Sequence, residues 1–327
     1  MLKTAFLDAG SLDRDDLDLQ PLREATGGAL HLFPRTHPEA VVPRLAGMDA
    51  VIVNKVVLDA DILARVRGLR LIAVAATGVN NVDTHAAQER GVAVCNCRGY
   101  GTDSVAQHAL ALMLNHFTRI PALSGQVAEG HWSRSPHFCL IDPGARELAG
   151  KRLGIVGYGT LGARFAELAE ALGMEVWIAE RPGAHQGGAA PGRRPFQEVL
   201  QGVDVLSLHC PLTETTHKLI DHAALQAMRS DALLINTARG ALVDEQALAD
   251  ALRSGWIGGA AIDVLSEEPP PAGHPLLAGD IPNLAITPHS AWSSVEARQR
   301  IVDQLAEALG ALASGEPLPR AIVAPEP

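Results

Sequence analysis

The chain has 327 residues, 47% hydrophobic and 20% charged, with a formal net charge of −10. That length suggests two domains and a core large enough to need no disulfide or metal staple, and the acidic balance, with no Lys/Arg-rich run, argues against a nucleic-acid surface. Four cysteines, at 95, 97, 139 and 210, are too few and too irregular for a disulfide framework and show no zinc spacing, so a reduced, cytoplasmic setting is expected.

Residues 1–8 reach an aspartate too quickly to form a signal sequence, and no apolar run approaches the ~18 residues of a membrane helix. Short apolar runs at 4–8, 29–33, 50–54, 70–75 and 92–95 read as strands. Helical patterns lie between most of them, including 61–67 and 84–90, with Gly68 and Gly91 as C-cap glycines. A longer helix is expected over 103–117, where Ala106, Ala109, Leu110, Met113 and Leu114 recur at helical spacing. Residues 118–150 carry Trp132, Pro136 and Phe138 in a mixed pattern and are expected to form an irregular excursion that makes an oligomer contact.

A second strand–helix series follows, with strands at 152–156, 175–179, 204–208, 232–236, 258–262 and 283–287. Residues 181–195 are rich in Gly and Pro and read as an exposed loop. One more helix is expected at 294–313, then a Pro-rich tail. Alternation of strands and helices implies an α/β fold of doubly wound parallel sheets. The last helix has no new strand to serve, so the expected domains are 1–101 plus 292–327, and 102–291.

Gly157-Tyr158-Gly159-Thr160-Leu161-Gly162 follows the strand 152–156 and opens a helix closed by Gly173. In a dinucleotide-binding turn the first glycine makes the bend, the second admits a pyrophosphate and the third lets helix and strand pack closely. The helix N-terminus offers N–H groups to the anion. Glu180 ends the next strand, where a carboxylate would bond the adenosine ribose and favour NAD over NADP. Arg181, Arg193 and Arg194 lie nearby, which keeps NADP open.

Ligands of open α/β sheets sit beyond the carboxyl ends of the strands. Those positions hold His209-Cys210-Pro211, Thr237-Ala238-Arg239, Asp263, Glu268 and His289, and in the first series Asn54-Lys55 and Thr77-Gly78. Such a concentration of polar groups at sheet edges marks a cleft between two domains. Read singly, Arg239 is as easily a surface arginine, Glu268 a solvated acid and His289 a packing residue. Together they suit hydride transfer to a 2-keto acid. A guanidinium grips a carboxylate with two parallel bonds. Histidine is the side chain best suited to deliver a proton near neutrality, and a neighbouring carboxylate supports its charged form and fixes its orientation. No second histidine stands at metal-ligand spacing from His289, so no metal is expected.

GYGTLG, HCPLTETTHKLI, LLINTARGALVDEQAL, AAIDVLSEEPP and ITPHSAW, in that order, resemble the D-isomer-specific 2-hydroxyacid dehydrogenase family over essentially the whole chain. Within it, VIVNKVVLDA, AATGVNNVD, VCNCRGYGTDSVAQH and SPHFCL are most similar to members that reduce hydroxypyruvate to glycerate. The resemblance implies Arg239, Glu268 and His289 as the catalytic set. It implies a cofactor site of 157–162, Glu180, Arg181, His209, Cys210, Pro211, Thr216, Thr237, Ala238, Arg239, Asp263, His289 and Ala291. It also implies substrate contacts from Lys55, Thr77, Gly78, Arg239 and Trp292, the last either walling the pocket or packing under the final helix.

The resemblance further implies a flavodoxin-like substrate domain completed by the C-terminal helix, a Rossmann domain, and a homodimer made through the latter. Two positions depart from the family pattern: Glu180, where Asp is usual, and Gln107, where many members carry glutamate. The expected activity is NAD-dependent reduction of a small 2-keto acid, hydroxypyruvate or glyoxylate. Its rivals are a co-repressor-like NAD-sensing scaffold without turnover and a dehydrogenase of phosphoglycerate, D-lactate or phosphite.

Overall fold

A computed structural model describes residues 1–141, 144–181 and 191–324. The chain divides into two compact units, Met1–Gly101 joined by the segment from Ser293, and Thr102–Trp292. In the first, β1 (Thr4–Phe6), α1 (Gln20–Ala25), β2 (Leu30–Leu32), α2 (Pro38–Leu45) and β3 (Ala50–Val53) come first. They are followed by α3 (Ala60–Arg65), β4 (Leu71–Val74), α4 (Thr84–Glu89) and β5 (Ala93–Asn96). The second unit opens with α5 (Thr102–Thr118), α6 (Ile120–Ala128), β6 (Arg152–Val156), α7 (Thr160–Ala171) and β7 (Glu175–Ile178). It continues through α8 (Phe196–Gly202), β8 (Val205–Leu208), α9 (His222–Ala227) and β9 (Leu233–Asn236), and ends with α10 (Glu245–Arg253), β10 (Gly259–Ile262) and β11 (Leu284–Ile286). Then α11 (Val295–Ser314) and β12 (Ala321–Val323) return to the first unit.

The first sheet runs β12-β5-β4-β3-β1-β2. All its pairings are parallel except that of β12 with β5. Every residue of β3, β4 and β5 is buried, as strands covered on both faces must be. The expected Pro-rich tail therefore contains a strand. Ala321 pairs with Cys95 and Val323 with Val94, which covers what would otherwise be an open edge. Helix α11 packs on α1 and β4. Its Arg298 is buried and grips Asp16 through two bonds of 2.7 and 2.6 Å. That bond, chiefly, holds the Asp16 carboxyl down at about 2.

The second sheet, β11-β10-β9-β8-β6-β7, is wholly parallel. One face packs on α5 and α7 through Ala109, Met113, Phe165 and Ala169. The other packs on α8, α9 and α10 through Val199, Leu225 and Leu248. Phe165 is fully buried, and removing such a side chain from water contributes roughly 1.5–3 kcal/mol. Helix α7 ends in a Schellman turn: Gly173 N–H donates to Glu170 and Met174 N–H to Ala169. Gly91 follows the cap of α4 at φ +66°, as expected, but Gly68 does not close a helix, because α3 stops at Arg65 and Val66 is already extended. Residues 120–128, expected to be irregular, form α6, none of whose residues is buried. Of the expected 181–195 loop, residues 182–190 lie outside the described residues, as does the tail at 325–327.

Candidate active site

The glycine turn sits where the order of the second sheet reverses, with β6 between β7 and β8. Gly157 has φ +99°, and a Cβ there would fall 2.4 Å from the Cys210 backbone nitrogen. The turn therefore closes directly against the exit of β8. A Cβ on Gly162 would come within 2.3 Å of the Gly157 carbonyl oxygen, so α7 can approach β6 only without one. Gly159 is different: a Cβ would meet nothing within 4 Å. It is the N-cap of α7 and supplies no side-chain cap, whereas Asp59, Asp83, Asp221, Asp244 and Ser294 cap α3, α4, α9, α10 and α11. Open space beside uncapped first-turn N–H groups is what a pyrophosphate requires. Tyr158 and Thr160 are exposed and Leu161 is half-buried.

Glu180 follows β7, half-buried, and accepts from the Phe196 N–H at 3.4 Å. Arg181 is exposed. Arg193 donates to the Ala179 carbonyl, and Arg194 stacks on Trp177 and pairs with Glu198 at 2.5 Å. Beyond β8, His209 Nε2 lies 2.9 Å from the Ser207 hydroxyl, and burial pushes its pKa down to about 4. Cys210 is buried, which pushes its thiol up to about 11. Thr216 is buried, and its hydroxyl donates to the Pro211 carbonyl and accepts from Thr213 N–H, fixing the 211–216 turn.

At the end of β9, the fully buried Asn236 bridges the next turn. Its side-chain Oδ1 accepts from Ala238 N–H, and its side-chain Nδ2 donates to the Arg239 carbonyl at 2.8 Å. The Thr237 hydroxyl is buried and has no hydrogen-bond partner among the described residues. Arg239 itself is exposed. Gly240 packs so closely that a Cβ would fall 1.9 Å from the Leu265 carbonyl carbon, bringing the Arg239 turn against the loop that carries Glu268.

Glu268 is oriented by both oxygens. Oε1 accepts from Leu265 N–H at 2.9 Å and Oε2 lies 2.6 Å from His289 Nδ1. His289 is about one-third exposed, at 31%, and has φ +52°. A non-glycine residue held there costs about 1–3 kcal/mol and persists only where its surroundings impose it. Asp263, buried at the end of β10, imposes it. Its backbone carbonyl accepts from His289 N–H at 2.7 Å. Its carboxylate accepts from the Ser290 and Ala291 N–H groups and from the Thr287 hydroxyl.

Residues 110–291 match the family model of the D-isomer specific 2-hydroxyacid dehydrogenase NAD binding domain. The chain belongs to the D-isomer-specific 2-hydroxyacid dehydrogenase family. It is 43% identical over 314 residues to the glycerate dehydrogenase of Methylorubrum extorquens, covering 94% of this chain and 96% of that one. It is 35% identical over 324 residues to the hydroxypyruvate reductase of Blautia hydrogenotrophica, covering 97% and 98%. Among solved structures, the TT0316 protein of Thermus thermophilus superposes with a TM-score of 0.83 at 35% identity, over 98% of this chain and 99% of that one.

The remaining residues expected to serve a 2-hydroxyacid dehydrogenase fall as follows. In the first unit, the buried Asp8 carboxylate accepts from the N–H groups of Asn54, Lys55 and Val56, fixing the exit of β3 and the exposed Lys55. Thr77 donates to the Cys97 carbonyl and is held in turn by Asn96. In the second unit Trp292 is half-buried. Sequence reasoning missed three residues that engage the loops carrying Glu268 and His289. Glu245 accepts from the Ser266 N–H at 2.7 Å and lies 3.1 Å from the buried His274, anchoring the Glu268 loop. Ser104 and His108 on α5 reach the segment 287–291. Among the described residues no group of His, Cys, Asp or Glu is arranged to hold a metal ion, and no helix is long and apolar enough to cross a membrane.

Proposed function

We propose that the protein reduces a small 2-keto acid, hydroxypyruvate or glyoxylate, to the D-2-hydroxy acid with NADH. The 2.6 Å pair of Glu268 and His289, on a turn held at positive φ, carries this reading, and the names of the two curated relatives agree with it. Gly157–Gly162, Glu180, Thr237 and Ala238 would hold the cofactor. Bound NADH supplies the hydride. Arg239 holds the substrate carboxylate through its planar fork. Glu268 occupies His289 Nδ1, which leaves Nε2 to donate a proton to the carbonyl oxygen as the carbonyl carbon gains the hydride. The products are the hydroxy acid and NAD+, and His289 regains its proton from solvent.

NAD is favoured over NADP because Glu180 would meet a 2′-phosphate with like charge and Arg193 and Arg194 are engaged elsewhere, while the exposed Arg181 counts the other way. A scaffold of this fold could keep the same Glu268–His289 pair, so turnover is what separates the two readings. The test is loss of nicotinamide absorbance with NADH, then NADPH, across a panel of 2-keto acids. We expect the highest kcat/KM with hydroxypyruvate or glyoxylate and NADH. No turnover with any acid would reject the enzyme reading.

We further read the protein as a cytoplasmic homodimer joined through its cofactor unit. Helix α6 buries none of its apolar side chains, and Phe138 and Ile141 beyond it are 91% and 85% exposed. A second copy of the chain is the occupant that such a surface suits. Light scattering should give twice the chain mass, and Phe138→Glu with Ile141→Glu should give the monomer. A wild-type monomer at micromolar concentration rejects the dimer.

A further inference from the structure

Helix α5 carries two polar side chains one turn apart on one face, and both end on the segment that holds His289. The Ser104 hydroxyl donates to the Ala291 carbonyl at 2.7 Å. His108 Nε2 lies 3.0 Å from the Thr287 hydroxyl oxygen and 3.6 Å from Asp263 Oδ1. The Thr287 proton is committed, because its hydroxyl donates to Asp263 Oδ1 at 2.5 Å. A hydroxyl has one proton, so at Thr287 it can only accept from the imidazole. His108 must therefore carry its proton on Nε2. The result is a directed chain, from His108 to Thr287 to Asp263, and Asp263 also receives the Ser290 and Ala291 N–H groups. This bracket opposes the relaxation of His289 from φ +52°.

We infer that His108 and Thr287, assisted by Ser104, are positioning residues for keto-acid reduction: they fix the turn that aims His289. None of them touches the reacting atoms. The inference rests on His289 being the proton donor. Loss of the bracket should therefore appear chiefly in kcat, with a smaller effect on cofactor affinity: the glycine turn lies on other elements, although Asp263 and Ala291 are also expected to border the cofactor.

The test is steady-state kinetics with NADH and hydroxypyruvate on the full chain. His108→Leu should lower kcat by roughly 10- to 100-fold, since misplacing a reacting group by an ångström can cost on the order of 100-fold. KM for NADH should change less than about twofold. His108→Gln, whose amide places an N–H near the position of Nε2, should restore most of kcat. Thr287→Val should match His108→Leu, and the double variant should be no worse than either, because both break one chain. Unchanged kcat in His108→Leu, failure of glutamine to restore it, or losses that multiply in the double variant would overturn the inference. If His108→Leu does not fold, Thr287→Val decides alone: unchanged kcat rejects the bracket and a kcat loss at constant KM for NADH supports it. A fully active His289→Asn would instead reject the proton-donor reading beneath it.

Discussion

Replacing His289 by asparagine should lower kcat for keto-acid reduction by on the order of 10²–10⁴-fold, the usual share of a positioned general acid. Asparagine is the informative substitution because His289 lies at φ +52°, a conformation asparagine tolerates better than other non-glycine residues. Alanine would mix the loss of the proton with relaxation of the turn. The asparagine side chain has no group that delivers a proton near neutrality, so hydride transfer leaves an alkoxide to be protonated by water. NADH titration by fluorescence should give a dissociation constant within about threefold of wild type. The decisive comparison is kcat: an unchanged value would remove His289 from the chemistry, whatever its distance from Glu268.

The fold was legible where burial leaves a one-dimensional trace. Parallel strands covered on both faces read as unbroken apolar runs, and Ala50–Val53 and Leu71–Val74 are such runs. The two parallel-sheet units follow from that. What escaped had no such trace. Strand β12 is three residues long and pairs with β5 from the far end of the chain. Helix α6 buries nothing, so no helical stripe marks it. Gly68 looked like a cap because glycine after a helical pattern usually is one, yet its φ of +81° serves a loop here.

The candidate site divides along the same line. The glycine turn is readable because its three glycines stand at fixed short spacing between a strand and a helix: Cys210 crowds Gly157, Gly157 crowds Gly162, and Gly159 faces open space. The supports of the turn are not local. His108 and Thr287 are 179 positions apart and Glu245 and His274 are 29 apart, and no spacing rule joins either pair. The same holds for the buried Asp263, whose carboxylate engages the 287–291 segment. Sequence assigns it a place at a strand end, but only the hydrogen bonds connect it to the conformation of His289.

Arg239→Met should remove keto-acid recognition, while the glycine turn keeps most of the NADH affinity. Deleting one partner of a charged, bidentate pair costs roughly 2–5 kcal/mol, or about 30- to 5,000-fold in kcat/KM. Methionine keeps much of the stem, so the exposed Arg239 can be changed without opening a core cavity. Its backbone should stay where Asn236 and the Gly240 contact with Leu265 hold it. Arg239→Lys separates charge from shape. A lysine restores the charge but not the planar fork, so it should recover only part of the loss. If lysine were as good as arginine, the residue would be supplying potential rather than a bidentate grip. If methionine left kcat/KM unaltered, the carboxylate anchor would lie elsewhere. The pattern separates Arg239 from His289. An anchor that binds ground state and transition state alike raises KM when removed, and one that also orients the carbonyl lowers kcat as well. We expect both effects for Arg239 and a kcat effect alone for His289, because only the arginine holds the keto acid before the hydride moves.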